Sequence, residues 1–442
     1  MASKTLALIS LILTCCVLFY AFLWINLLEN LKSFSLGFKD VVRAEFLWRE
    51  IHQHIDDRAP INQSVITSAL NFSSLGDTID AKNLTIERED KITPIPILYK
   101  TNFTKLPVWD FEDVYLQDHD ARKPICSDSK SIHNTKDPKF KEAFLPNIQL
   151  WLYRGLLNIT EWNRLAHFNN PFGFMEYKYD EIRATVDLIP KPKFLKLLPV
   201  PESAKDGCIR CAVVGLSGIL NNSKMGKEID SHDYVFRVNG ALTQGYEEDV
   251  GNKTSVYVHT AFSLYSSLHK FKKVDHQRLL QNENTKHVMI PEGLRDFEWL
   301  QGLLQRKEAT GHFKGVRPLE LFKGHFNESR FYVLHPDFLR YIRYRFMLSE
   351  QTQRKVWALY RPTNGAFALF LALHTCDIVD VYGYITEDHK KYSNYYYEKL
   401  KSRVIFYINH DYGLEIKTWK NLHDAGILKL YQGKGDLNNT KT

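Results

Sequence analysis

The hydrophobic pattern of the chain opens with one long uncharged stretch. Residues 5–28 carry no charged side chain and are rich in Leu, Ile, Val and Phe. As a helix they would extend about 36 Å, enough to cross a hydrocarbon core of about 30 Å. A cleaved signal peptide has a shorter apolar core and a small-residue cleavage site, whereas here Trp24 and Asn26 lead directly to Glu29. We therefore predict an uncleaved transmembrane signal-anchor at 5–28, after a cytoplasmic tail of residues 1–4.

The pattern that follows the span is irregular up to about residue 122. Short apolar runs alternate there with charges and prolines, and no helical or strand period is sustained. We predict that residues 29–122 form a stem, a solvated spacer that holds a folded domain at 123–442 away from the membrane.

From residue 208 onward, short apolar runs of strand length alternate with segments of helical length. The predicted strands are Ala212–Val214, Tyr234–Val238, Ser255–Val258, His287–Ile290, Phe331–Leu334, Ile378–Tyr382 and, last, Val404–Ile408. Helices are predicted at Gly365–His374 and Leu414–Ala425. Short buried strands separated by helices indicate an α/β fold, a Rossmann-like sheet with helices on both faces. Ligands in such folds bind at the carboxyl ends of the strands.

Potential glycosylation sites indicate which side of the membrane the folded domain occupies. The few charges on either side of the span do not decide its orientation. Nine Asn-x-Ser/Thr triplets follow the span, which favours exposure to the glycosylation machinery. We therefore expect residues 29–442 to be lumenal. The triplets begin at Asn62, Asn71, Asn83, Asn102, Asn158, Asn221, Asn252, Asn327 and Asn438.

Cysteine usage agrees with an oxidising compartment. Two of the six cysteines lie within the span, and the others are Cys126, Cys208, Cys211 and Cys376. An even number outside the span predicts two disulfides. The C-x-x-C spacing of Cys208 and Cys211 also occurs in redox centres and zinc sites. However, no second such pair completes a zinc set, and a redox pair is expected to open a helix rather than precede a strand. We expect both cysteines to bridge to partners elsewhere.

Overall composition excludes one class of partner and adds little else. The 442-residue chain is 44% hydrophobic and 25% charged, which is ordinary for a globular protein. Its net charge of +7 suits an anionic substrate, but the excess is diffuse. No concentrated basic patch is present, so we predict no nucleic-acid partner.

Candidate chemistry begins at a glycine-rich turn after the first predicted strand. The sequence Gly215-Leu-Ser217-Gly218 lets the backbone turn tightly and approach a phosphate closely. Many turns between a strand and a helix use glycine only for structure, so the turn alone does not distinguish a binding site from a scaffold.

Three larger blocks make the pattern specific. One runs from Cys211 to Thr254 and includes the sequence Arg-Val-Asn ending at Asn239. Another begins Arg361-Pro-Thr-Asn-Gly and runs through Cys376 to Tyr384, and the third is His410-Asp-Tyr-Gly-Leu-Glu. In order and spacing these blocks resemble sialylmotifs L, S and very short of the sialyltransferases, glycosyltransferase family 29. Further blocks at 292–299, 335–341 and 423–427 resemble the subfamily that acts on O-linked N-acetylgalactosamine (GalNAc).

The resemblance implies a fold, a reaction and a location. The fold would be a GT-A-like sialyltransferase variant, with the catalytic domain at 123–442. The reaction would transfer sialic acid from CMP-sialic acid to the 6-hydroxyl of GalNAc on mucin-type glycoproteins. It would invert the anomeric carbon and need no metal and no cofactor beyond the donor substrate. The protein would be a single-pass type II protein of the Golgi membrane, with its catalytic domain in the lumen.

The resemblance also implies roles for individual residues. His410 matches the catalytic base, and imidazole suits that role because it titrates near neutrality. The implied disulfides are Cys211–Cys376 and Cys126–Cys208. The implied donor-binding residues are Ser217, Gly218, Asn239, Thr363, Asn364, Gly365, Gly383 and Tyr395.

Two positions depart from the family pattern. Leu216 stands where the family commonly has Asn, and Tyr395 stands where it has His. Leucine cannot donate a side-chain hydrogen bond, and a phenol is not cationic at neutral pH. Two alternatives therefore stay open: a catalytically weakened glycan-binding relative, and a sialyltransferase of different linkage.

Overall fold

A single parallel sheet organises the described part of the chain. The computed structural model describes residues 93–118, 126, 132–195, 197–271, 282–398 and 400–433. Within them, seven parallel strands follow the spatial order β5-β4-β3-β2-β1-β6-β7. The strands are β1 (Arg210–Val214), β2 (Tyr234–Val238), β3 (Val256–His259), β4 (Lys286–Met289), β5 (Phe331–Val333), β6 (Ile378–Tyr382) and β7 (Lys429–Leu430). The predicted α/β class is confirmed.

Helices connect the strands and precede the sheet. In chain order they are α1 (Pro138–Ala143), α2 (Ile159–Leu165), α3 (Tyr179–Val186), α4 (Gly226–Ser231), α5 (Glu247–Val250), α6 (Ala261–Lys270), α7 (Leu294–Leu304), α8 (Pro336–Arg345), α9 (Asn364–Thr375) and α10 (Tyr412–Asp424). The two helices predicted from the pattern correspond to α9 and α10.

Both faces of the sheet are covered, as the apolar strands predict. Cys211 and Val213 of β1 belong to a core shared with α9, whereas Ala212 and Val214 belong to a core shared with Ile229 of α4. This alternation follows from the two-residue period of a strand. Helix α9 packs against β1, β2, β3 and β6 and is buried over most of its surface, which explains its nearly continuous apolar sequence.

The strand order creates a crevice at the carboxyl edge of the sheet. From β1 the chain builds outward to β5, and it then returns to place β6 on the other side of β1. The loops that leave β1 and β6 therefore diverge to opposite faces. Such a switch in direction is where open α/β sheets bind ligands.

One predicted strand is wrong. Residues 404–408 form no strand, and the last strand is β7, after α10. Ile405, Phe406, Tyr407 and Ile408 are each more than half exposed. A strand of a parallel sheet needs hydrogen-bonded neighbours and cover on both faces, and this segment has neither. Val404, Ile405 and Tyr407 instead line a cavity described below.

Part of the predicted stem packs against the folded domain. The described residues from 93 onward belong to one compact unit, and within it Leu106 and Tyr115 are buried. Gln117 forms an antiparallel bridge with Ile148. Arg340 of α8 donates hydrogen bonds to the Glu112 and Val114 carbonyls. The folded body therefore extends N-terminal of residue 123.

Both implied disulfides are present. Cys211 at the start of β1 bonds to Cys376 directly after α9, with Cα atoms 6.1 Å apart, and Cys126 bonds to Cys208. The alternative in which Cys208 and Cys211 form a redox pair is thereby excluded.

The predicted signal-anchor at 5–28 and most of the predicted stem lie outside the described residues. None of the helices in the described ranges is long and apolar enough to cross a bilayer.

Candidate active site

A cavity of about 560 Å³ opens at the carboxyl ends of β1 and β6. Gly215 and Gly383, the residues that follow these two strands, both line it. The two backbones touch there: a Cβ atom on Gly215 would collide with the Gly383 carbonyl, and Gly383 has a φ of +67°. Glycine is needed at both positions because of this close approach and the left-handed backbone at Gly383. The cavity therefore occupies the crevice that the strand order predicts.

The glycine-rich turn forms the floor of the cavity. The Ser217 N–H donates to the Gly383 carbonyl at 2.9 Å, and the Gly218 N–H donates to the Ser393 carbonyl at 3.1 Å. Both N–H groups are therefore engaged within the protein. Ser217 lines the cavity, whereas Gly218 is buried behind it against Ser393. These two N–H groups shape the floor and position the neighbouring loops, and the donor-binding role of the turn stays a prediction.

Two asparagines meet across the cavity from different blocks. Asn239 follows β2, and Asn364 is the first residue of α9. The Asn364 Nδ2 donates to the Asn239 Oδ1 at 2.7 Å. Asn239 has a φ of +50°, a left-handed conformation that asparagine tolerates better than most residues. The predicted pairing of these segments around one ligand site agrees with this contact.

The start of α9 is held by a buried carboxylate. Glu415 accepts the Thr363 N–H at 2.8 Å and the Thr363 hydroxyl at 2.9 Å, and the Thr363 Oγ accepts the Ala366 N–H. Burial raises the pKa of Glu415 to about 7, against the opposing hydrogen bonds from Thr363. The Thr363 N–H is therefore not free for a ligand. The Asn364 and Gly365 N–H groups remain in the first helical turn, where the dipole favours an anion.

His410 stands at the cavity wall as a neutral imidazole. Its Nδ1 lies 2.8 Å from the Arg361 carbonyl oxygen, and a carbonyl can only accept, so Nδ1 carries the proton. The Nε2 lone pair is then available to accept a proton. Desolvation, reinforced by the Arg361 charge, lowers the pKa of His410 to about 4. His410 lines the cavity and lies two residues before the start of α10, but it follows a loop rather than the strand that we predicted.

A charged network beside His410 received no predicted role. The Arg361 guanidinium contacts Glu292 at 2.9 Å, and Glu292 also pairs with Arg295 at 2.8 Å. Burial opposes the charge on Glu292, but the two arginines lower its pKa below the ordinary value. The Arg361 Nη1 also donates to the Asn364 Oδ1 at 3.1 Å. The available signal for both residues was their position, Glu292 at the start of the block 292–299 and Arg361 at the start of the block that runs to Tyr384.

The two departures from the family pattern both lie at this cavity. Leu216 packs against the apolar core beneath the turn, and its carbonyl accepts the Tyr396 N–H. Tyr395 stacks on Tyr397 with ring centroids 5.1 Å apart. The Lys270 ammonium lies 5.2 Å from the Tyr395 ring centroid. Lys270 thus places a positive charge beside Tyr395, the position at which the family has a histidine.

The lining of the cavity combines two kinds of group. The first is the side-chain amides of Asn239 and Asn364 with the N-terminus of α9, and the second is the neutral His410. The first set suits an anionic group, and the second suits removal of a proton from a hydroxyl. Of the predicted residues, Ser217, Asn239, Thr363, Asn364, Gly365, Gly383, Tyr395 and His410 line the cavity, and Gly218 does not.

Comparison with known proteins places these features in a family. Residues 152–427 match the family model described as glycosyltransferase family 29 (sialyltransferase). The chain is 47% identical over 339 residues to alpha-N-acetylgalactosaminide alpha-2,6-sialyltransferase 1 of Gallus gallus, covering 76% of this chain and 60% of the relative. It is 42% identical to the Homo sapiens protein of that name, covering 79% and 61%. The chain thus spans about three fifths of the length of these relatives.

A shorter relative is covered more completely. The chain is 40% identical to alpha-N-acetylgalactosaminide alpha-2,6-sialyltransferase 2 of Mus musculus, covering 70% of this chain and 83% of the relative. A crystal structure of a mammalian sialyltransferase aligns with a TM-score of 0.49 at 24% identity, covering 71% of this chain and all of that one. The family match extends over more than half of the sequence and includes every block from which the cavity is built, and the chain therefore belongs to glycosyltransferase family 29, the sialyltransferases.

Proposed function

We propose that this protein transfers sialic acid from CMP-sialic acid to the 6-hydroxyl of GalNAc O-linked to Ser or Thr of a glycoprotein. The observation that carries the proposal is the neutral His410, whose Nδ1 is fixed by the Arg361 carbonyl, at the wall of a cavity with Asn239 and Asn364. Supporting it, several relatives named as α-2,6-sialyltransferases of GalNAc are 40–47% identical.

In the proposed reaction, the acceptor oxygen attacks the anomeric carbon of sialic acid while the His410 Nε2 removes the hydroxyl proton. The bond between that carbon and the phosphate oxygen breaks, and CMP leaves with the electron pair. Attack from the side opposite the leaving group inverts the carbon. The amides of Asn239 and Asn364 and the first turn of α9 would stabilise the leaving phosphate. The resemblance to the sialyltransferases implies that no metal is needed, and we propose metal-independent transfer.

The activity is tested with the full chain, CMP-sialic acid and defined glycopeptides. We expect transfer to a GalNAc-peptide, a product whose sialic acid is attached at the 6-position of GalNAc by NMR, and an equal rate in EDTA. Attachment to galactose would contradict the proposed linkage. Binding of the glycopeptide without transfer would favour the weakened glycan-binding relative instead.

We also propose that the protein is a single-pass type II protein of the Golgi membrane with a lumenal catalytic domain. The uncharged residues 5–28 and the nine glycosylation triplets after them support this topology. In sealed vesicles, the catalytic domain should resist added protease and lose mass on glycosidase treatment after the membrane is opened. Cleavage of the domain in intact vesicles would contradict the topology.

A further inference from the structure

A second cavity lies beside the candidate active site. It has a volume of about 470 Å³ and lies between α6 and the loop that contains the 3-10 turn Gly311–Phe313. Phe262 of α6 lines both cavities, so the second cavity begins where the first one ends. We call it the aromatic groove.

Ring faces and edges dominate the aromatic groove. Tyr265 packs edge-on against Phe313 with centroids 5.5 Å apart, and the His269 ring lies 4.0 Å from the Tyr265 ring. His312 packs edge-on against Phe313 at 4.9 Å. Phe313 is buried, whereas His269 and His312 are exposed. The groove therefore has a base of packed aromatic rings and accessible imidazoles at its edge.

The residue shared by the two cavities is held in place by the charged network of the active site. Phe262 is 46% exposed, and the Arg295 guanidinium lies 4.9 Å from its ring centroid. Arg295 in turn pairs with Glu292, which pairs with Arg361. The Phe262 ring, in contact with Arg295, thus forms part of the boundary between the two cavities.

We propose that the aromatic groove binds the polypeptide of the acceptor, as an extended proline-containing segment next to the glycosylated Ser or Thr. This inference rests on the proposed function. GalNAc joined directly to Ser or Thr leaves only one sugar between the reacting hydroxyl and the peptide backbone, so the peptide must lie close to the active-site cavity. The aromatic groove adjoins that cavity at Phe262. Ser/Thr-rich stretches with proline are typical O-glycosylated segments, and aromatic-lined grooves bind extended proline-rich chains.

Tyr265→Ala tests the proposal with two acceptors, a GalNAc-peptide with flanking prolines and GalNAc-O-benzyl. We expect kcat/KM for the glycopeptide to fall about tenfold, through KM, because truncating an aromatic anchor commonly weakens binding by that factor. GalNAc-O-benzyl should be turned over as by the parent. Tyr265→Phe should keep parent values for both, since the ring remains. Tyr99→Ala is the matched control, because Tyr99 is half exposed and lines neither cavity.

Binding is measured separately from transfer, by fluorescence anisotropy of a labelled glycopeptide. His269→Ala at the exposed edge provides a second variant and should weaken binding severalfold even if Tyr265→Ala does not fold. Parent-like binding by both folded variants would overturn the inference, as would equal losses on the two acceptors. A loss confined to a galactosylated benzyl acceptor would also overturn it, because the groove would then hold a sugar. Weakened peptide binding in a protein that transfers no sialic acid would contradict only the proposed function.

Discussion

His410→Ala should lower kcat by a factor of about 10²–10⁴, the usual contribution of a positioned general base. The affinity for CMP should change little, because the hydrogen bond between Asn364 and Asn239 does not involve the His410 side chain and remains in the variant. The measurement is turnover of a GalNAc-peptide, together with CMP binding by calorimetry. His423→Ala is the matched control: it removes an imidazole from α10 whose Nδ1 accepts the Leu430 N–H, and it lines neither cavity.

The pH dependence of kcat/KM provides a second test of His410 as the general base. Because the pKa of His410 is lowered to about 4, the base stays neutral through most of the acidic range. Its protonation should reduce kcat/KM only near that value, rather than near the ordinary imidazole pKa of about 6.5 that the sequence alone suggested. Glu415, with its pKa raised to about 7, can add a separate limb. Glu415→Gln should remove that limb and leave the one of His410. Near-parent turnover by His410→Ala would place the base elsewhere.

Asp337→Ala should destabilise the fold by about 3–5 kcal/mol, the cost of breaking a buried ion pair. The Asp337 side chain is fully buried and contacts Arg164 at 2.6 Å and Arg340 at 2.8 Å. It also accepts the Leu116 N–H at 2.8 Å, which ties the segment N-terminal of residue 123 to α8. Without the carboxylate, two guanidiniums would be left without their shared partner. At about 2–4 °C per kcal/mol, Tm should fall by roughly 6–20 °C.

Calorimetry gives the change in Tm, and limited proteolysis shows whether the segment at 93–118 has been released. Asp187→Ala is the control, because Asp187 pairs with Arg183 where both side chains are about half exposed, and such pairs contribute little.

The loss of stability caused by Asp337→Ala should also depend on pH. Burial opposes its charge, but Arg164 and neighbouring positive groups hold its pKa below the ordinary value. The contribution is therefore present at neutral pH and is lost as pH falls through that depressed pKa. An unchanged Tm and cleavage pattern in Asp337→Ala would show that this cluster does not anchor the segment.

The sheet was largely predictable from the sequence, because parallel strands buried on both faces appear as continuous apolar runs. Tyr234–Val238 and Ile378–Tyr382 were predicted with the bounds that the structure has. The same rule failed at 404–408, where an equally apolar run has no neighbouring strand to pair with. Local pattern cannot distinguish burial in a sheet from exposure at a cavity rim, since that depends on where the rest of the chain lies.

The residues of the candidate site that lie in the family motifs could be predicted from the sequence. The residues that reach the site through contacts between distant parts of the chain could not. Glu415 could be identified as the last residue of the third block. The sequence did not show that it accepts two hydrogen bonds from Thr363, 52 residues away, which set the geometry at the start of α9. Phe262 and Tyr265 carry no local signal, because an aromatic on a helix is usually core. Their importance follows from the loop at Gly311–Phe313, which the fold brings beside α6.

The position of β1 has a consequence for how the chain is made. β1 is central in the sheet, yet β6, its neighbour on one side, follows only after β2 to β5 and the helices between them. The cysteines that join these two regions are 165 residues apart. At a synthesis rate of about 5–20 residues per second, β6 is synthesised roughly ten to thirty seconds after β1, and one edge of β1 stays unpaired during that time. An apolar strand with an open edge invites pairing with other chains. We therefore expect the nascent protein to be prone to pairing with other chains during that interval, until β6 covers the edge and Cys211 and Cys376 form their disulfide.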